Sequence, residues 1–198
     1  PLITAPRDWE TKNVINYLKK RGITRDDIIK YNVGYCPSGL YKNFVIIPSY
    51  DENGKLNYFV ARNYYNSSIK YKNPPVSKDT VVFESTISYE LPIVLVEGVF
   101  DAISVKRNCI PLLGKRILPT LYQKLLERDV KKIYIMLDND ARSEALEIAK
   151  KLMEQHMQVY VVELNDKDPN DLGFTNVTDV IKNTMETDFS SLIKLQFA

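Results

Sequence analysis

Pro92-Ile-Val-Leu-Val-Glu97-Gly98 and Ile133-Tyr-Ile-Met-Leu-Asp138-Asn-Asp140 decide the reading of this chain. Each is an apolar run of strand length that ends in acid and leads into a segment with helical spacing. In an open parallel α/β sheet, ligands bind at the carboxyl ends of the strands. Carboxylates delivered together to one such edge repel one another. A hard divalent cation relieves that repulsion, and oxygen-only ligands favour Mg²⁺ or Mn²⁺. The pattern points to a metal-dependent enzyme acting on phosphates.

Working outward, the second half of the chain alternates. Strands are expected at 93–96, 110–113, 132–137 and 158–164, with helices near 99–107, 119–128 and 142–156. This β-α-β-α order predicts a mostly parallel sheet flanked by helices, an α/β fold. The 142–156 helix sets Ala145, Ile148, Ala149 and Leu152 on one face, and a last helix is expected near 177–185, with Thr175 or Thr178 at its start. Upstream lies a mixed helix and strand region, so the whole chain reads as α+β. Val14, Tyr17 and Leu18 share a helical face that Gly22 ends. Thr24 can then cap a second helix with Asp27, which would turn Ile28 and Ile29 inward. Phe44–Pro48 and Leu56–Ala61 read as strands joined through Asn53-Gly54, a hairpin turn. The expected division is residues 1–90 and 91–198.

Composition narrows the class. The 198 residues are 44% hydrophobic and 26% charged, ordinary for a globular chain with a real core. No apolar run reaches the ~20 residues that span a membrane, and no signal-peptide pattern is present. Cys36 and Cys109 are isolated, without zinc spacing, which suits free thiols in a reducing compartment; a single disulfide stays open. The net charge of +2 is unevenly spread: residues 1–90 hold 13 Lys/Arg against 9 Asp/Glu, and residues 91–198 hold 14 against 16. The basic excess could hold a polyanion beside the acidic half. A start at Pro1 reads as a piece of something longer. No glycine-rich phosphate loop is present. His156, the one histidine, sits at a helix end where a cation suits the dipole.

The acids also have bland readings. A carboxylate after a strand often caps a helix. Asp101 can pair with a helix dipole, and Asp168-Pro-Asn is ordinary turn chemistry. Three acidic strand ends in succession are harder to assign to capping alone. Asp138-x-Asp140 puts both acids on one side of an extended segment. Phosphoryl transfer at two metals needs ligands that hold the ions ~4 Å apart.

Together these residues resemble the Toprim domain of topoisomerases, primases and some nucleases. Glu97-Gly98, Asp101, Asp138-x-Asp140 and Asp168 stand at its acidic positions. The chain departs from many members at Asn139 and Arg142, where they carry glycine. The resemblance implies that Glu97 is an acid/base residue that also touches metal. It implies catalytic roles for Asp138 and Asp140, and a Mg²⁺ (or Mn²⁺) pair held by Glu97, Asp101, Asp138, Asp140 and Asp168.

The upstream half is similar to the start of the RNA-polymerase domain of bacterial and phage replicative DNA primases. The carrying residues are Tyr17-Leu-Lys-Lys-Arg-Gly-Ile23, Tyr31-Asn-Val-Gly-Tyr-Cys-Pro-Ser-Gly39, Val60-Ala-Arg62 and Lys70-Tyr-Lys-Asn73-Pro74. This resemblance implies RNA primer synthesis on a single-stranded DNA template from NTPs in DNA replication. It also implies contact with the RNA–DNA primer duplex, partnership with a replicative helicase and a separate zinc-binding domain, and a cytoplasmic setting. Arg62, Lys70, Tyr71 and Asn73 would then hold nucleotide or DNA. Arg62 offers a rigid fork for phosphate and Lys70 a compact cation. Lys70 as a solvated charge and Tyr71 as a core ring remain the plain alternatives. Two rivals stand beside the primase reading: a Toprim-type metal-dependent nuclease, and an inactive module that binds nucleic acid or a helicase.

Overall fold

The computed structural model describes residues 9–65, 68–164 and 169–192. The chain divides into two compact units, Pro1–Lys78 and Asp79–Ala198. The division falls before residue 90, the boundary that periodicity alone suggests. Residues 79–90 have no regular period, yet they are fastened to the second unit. Asp79 Oδ1 accepts the Thr120 N–H at 2.9 Å, Val81 is buried in the core, and buried Glu84 pairs with Lys124 at 3.0 Å.

In the first unit, α1 (Trp9–Lys20) buries Val14 and Leu18, and α2 (Arg25–Lys30) follows Gly22, whose φ of 69° suits the reversal. The predicted capping box forms: Thr24 N–H donates to Asp27 Oδ2 at 2.8 Å, and Asp27 N–H to Thr24 Oγ1 at 3.3 Å. Ile28 is buried, but Ile29 is 57% exposed, because each residue step along a helix rotates the side chain by about 100°. Three antiparallel strands follow in the order β1 (Gly34–Tyr35), β2 (Phe44–Tyr50), β3 (Leu56–Asn63). The β2–β3 turn is longer than a two-residue hairpin. Asp51 Oδ1 accepts from Asn53 N–H and Lys55 N–H, both at 2.9 Å, and Gly54 takes the positive φ.

The second unit holds a parallel sheet in the order β5-β4-β6-β7: β4 (Ile93–Val96), β5 (Cys109–Pro111), β6 (Lys132–Ile135) and β7 (Gln158–Val161). All of β4 is buried, as an apolar run between two helical layers must be. Ile93, Leu95, Ile133 and Ile135 share a core with Leu121 and Leu125 of α4 (Pro119–Glu127) and Ala145, Ile148, Ala149 and Leu152 of α5 (Arg142–Met153). On the other side α3 (Val99–Val105) packs against β4 and β5, and α6 (Pro169–Asn183) packs on α3. The backbone of α6 breaks at Gly173, φ 74°, so a short helical turn precedes the break and the longer helix runs from residue 174 to 183, a few residues ahead of the expected 177. The strands at 109, 132 and 158 are shorter than expected, and the residues past β5 and β6 leave for the loops that bear Lys115, Asp138 and Asp140. Both cysteines are free. Among the described residues no helix is long and apolar enough to cross a membrane.

Candidate metal centre and basic face

Topology places the acids. From β4 the chain runs through α3 to β5 on one side; from β6 it runs through α5 to β7 on the other. Neighbouring strands β4 and β6 thus send their loops to opposite faces. A crevice opens between their carboxyl ends, the place where such sheets bind ligands. Glu97 follows β4 and Asp138 follows β6, so both stand in that crevice.

Glu97, Asp138 and Asp140 come together, with carboxylate oxygens within 4.8 Å of one another. Asp138 and Asp140 do not lie along one extended segment. The extended backbone ends at Asp138, and a 3₁₀ turn, Asn139–Ala141, closed by Ala141 N–H to Asp138 O at 2.8 Å, swings Asp140 back. The Asp138 N–H donates to Glu97 Oε1 at 3.2 Å. Burial is the largest influence on Glu97 and pushes its carboxyl above the ordinary glutamate value. The Asp138 charge, and less strongly Asp140, push the same way, while the Asp138 N–H and Lys115 pull down. Three clustered carboxylates with oxygen-only donors fit a hard divalent cation.

Asp101 is not in this group. Its Oδ2 accepts the Gly98 N–H at 3.1 Å and so caps the start of α3 with half of a capping box, since Gly98 has no side chain to return the bond. Gly98 is needed for that closure, because a Cβ there would meet Asp101 Oδ2 at 2.8 Å. Asp168 lies outside the described residues.

Lys115 escapes a sequence reading. It follows β5 by four residues, and its Nζ lies 2.7 Å from Asp140 Oδ2. The only signal is its position after a strand end, next to Leu112-Leu-Gly114.

In the first unit, residues 70–72 run alongside β3: Asn63 N–H donates to Lys70 O and Lys72 N–H to Ala61 O, each at 3.0 Å. This sets Tyr71 beside Arg62, whose guanidinium lies 4.5 Å from the ring centroid. Tyr71 is 49% exposed, which removes it from the core. Arg62 Nε donates to the Tyr17 hydroxyl at 3.1 Å, and Arg21 lies over the Tyr17 ring at 5.8 Å. Arg21, Tyr17, Arg62 and Tyr71 therefore alternate cation and ring. In the sequence Tyr17 reads as part of a packing face, and Tyr17 and Arg21 both stand in the primase-like stretch 17–23 without a binding role of their own. Lys70 is exposed. Asn73 has a structural task, since its Oδ1 accepts the Ala61 N–H at 3.2 Å.

The Toprim-like family matches residues 94–173. An uncharacterized protein of Mycoplasma genitalium, MG010, is 32% identical over 177 residues, covering 82% of this chain and 80% of its own length. A DNA primase of Clostridium acetobutylicum is 26% identical over 92% of this chain, which spans 33% of that primase. Among solved structures, a DnaG primase catalytic domain bound to single-stranded DNA superposes with a TM-score of 0.78 at 19% identity, over 99% of this chain and 80% of that one. The chain therefore belongs to the family of the Mycoplasma protein MG010, with a Toprim-like region at residues 94–173, and it carries the fold of the DnaG catalytic core.

Proposed function

We propose that this chain is the catalytic core of a DNA primase, which makes short RNA primers on single-stranded DNA from NTPs. The observation that carries the reading is the convergence of Glu97, Asp138 and Asp140 at the β4/β6 crevice of a primase-core fold. Those three residues would hold the divalent ions, Mg²⁺ or Mn²⁺, with Asp168 carried over from the family resemblance. Asp101 is left to cap α3. Bound ions supply activation of the primer 3′-hydroxyl and charge relief for departing pyrophosphate. The raised carboxyl of Glu97 suits it to hold or pass a proton near that hydroxyl. Arg62 and Lys70 offer cations to template or nucleotide phosphates, and exposed Tyr71 offers a ring to a base. The single-stranded DNA on the structural relative supports this template class. The RNA–DNA duplex, the helicase and a zinc-binding domain belong to the same reading as partners.

The test is primer synthesis on a mixed single-stranded DNA library with labelled ribonucleotides and Mg²⁺ or Mn²⁺. Short RNA made by the wild type and not by Asp138→Ala is the expected result. Cleavage of the template in place of synthesis would give the site to the nuclease reading. DNA binding without either product would give it to the binding module.

A further inference from the structure

The loop after β5 carries a cation into the acidic cluster. Lys115 Nζ lies 2.7 Å from Asp140 Oδ2 and donates to the Asp140 backbone carbonyl at 3.2 Å. Two contacts from one ammonium to one residue fix it more firmly than a single exposed ion pair. The approach is built by the backbone. Leu113 and Gly114 take positive φ, 52° and 147°, and the Gly114 N–H donates to the Glu97 carbonyl at 3.3 Å. The loop that bears Lys115 is thereby tied to Glu97 itself.

An ammonium on Asp140 occupies one of its two carboxylate oxygens. It also places a positive charge beside any ion bound there, and like charges a few ångströms apart oppose each other. Glu97 and Asp138 are half-buried and joined by the Asp138 N–H, whereas the Asp140 side chain is 77% exposed. The cluster is thus divided into an inner pair and an outer carboxylate held by lysine.

We propose that Lys115 is a positioning residue that holds Asp140 as an internal counter-cation, so that Glu97 and Asp138 take a first divalent ion and a second enters only when Lys115 releases Asp140. This rests on the metal reading above. Lysine suits the task because its compact ammonium on a flexible stem can leave and return.

The experiment is a Mn²⁺ titration of the full chain by electron paramagnetic resonance and calorimetry. Wild type should show one tight and one weak class of site. Lys115→Met should tighten the weak class about tenfold and leave the tight class in place. Lys115→Arg, which keeps the charge, should not tighten the weak class and controls for folding. Asp140→Asn should abolish the weak class with or without Lys115. A Lys115→Met variant, folded by circular dichroism, whose weak class is unchanged or weaker overturns the inference alone. If wild type and Asp138→Asn take up Mn²⁺ equally, or neither does, the metal reading and this inference fall together.

Discussion

Replacing Glu97 with glutamine removes one charge from the cluster and nearly keeps its shape. The amide retains an oxygen to accept the Asp138 N–H, now 3.2 Å from Glu97 Oε1. The cluster's carboxylate oxygens lie within 4.8 Å of one another. At that separation and an effective dielectric of about 20, a pair of like charges costs roughly 3.5 kcal/mol. Water reaches the half-exposed pair and exposed Asp140, and burial already biases Glu97 toward its neutral form. The relief on substitution is then on the order of 1 kcal/mol, which raises Tm by about 2–4 °C in a chain of this size. With Mn²⁺ the order reverses. A bound ion at about 100 times its Kd stabilises the wild type by about 2.7 kcal/mol, and the variant has lost a ligand. Thermal unfolding followed by circular dichroism, in EDTA and then in Mn²⁺, reads both signs. Glu97→Gln melting at or below wild type in EDTA would refute the repulsion argument. A wild-type curve that Mn²⁺ leaves unmoved would refute the cation that relieves it.

The same carboxyl sets a pH dependence. Its folded value is raised, so between the unfolded value and the folded one the native state binds the extra proton. Metal-free stability therefore falls as pH rises through that window, and Mn²⁺ affinity climbs over it; a pH series of calorimetric titrations with flat affinity would contradict this. In the basic face, Arg62→Ala and Tyr71→Ala should each weaken single-stranded DNA binding by about 1–3 kcal/mol in fluorescence anisotropy. Only Arg62→Ala should also flatten the salt dependence, and unchanged affinity in both variants would remove the cation–ring face from the binding site. Gly98→Ala must displace the Asp101 carboxylate, which would sit 2.8 Å from the new Cβ. Loss of that cap should lower stability by about 1 kcal/mol in urea titration, and an unaltered midpoint would show that the cap contributes nothing.

What the sequence determined by itself is local. The apolar run 93–96 and the helical spacing of Ala145, Ile148, Ala149 and Leu152 depend only on chain period, and each became the element expected. The Thr24–Asp27 capping box spans three residues and formed as read, because its partners meet wherever the helix starts. The acids at 97 and 138 were visible for the same reason, as the first polar residues after strands. Tertiary structure decided which of them meet. Asp101 was expected beside Asp140 among the metal ligands, yet a hydrogen bond three residues back holds it at a helix start, while a 3₁₀ turn brings Asp140 inward. Lys115 reaches Asp140 across 25 residues, and Arg62 reaches Tyr17 across 45, through a loop after β5 and a strand packed on a helix. The unit boundary at Lys78 likewise depends on Asp79 and Glu84 finding α4. Pairings of that kind carry no period in the chain; they arise from strand order, and strand order is a property of the assembled sheet.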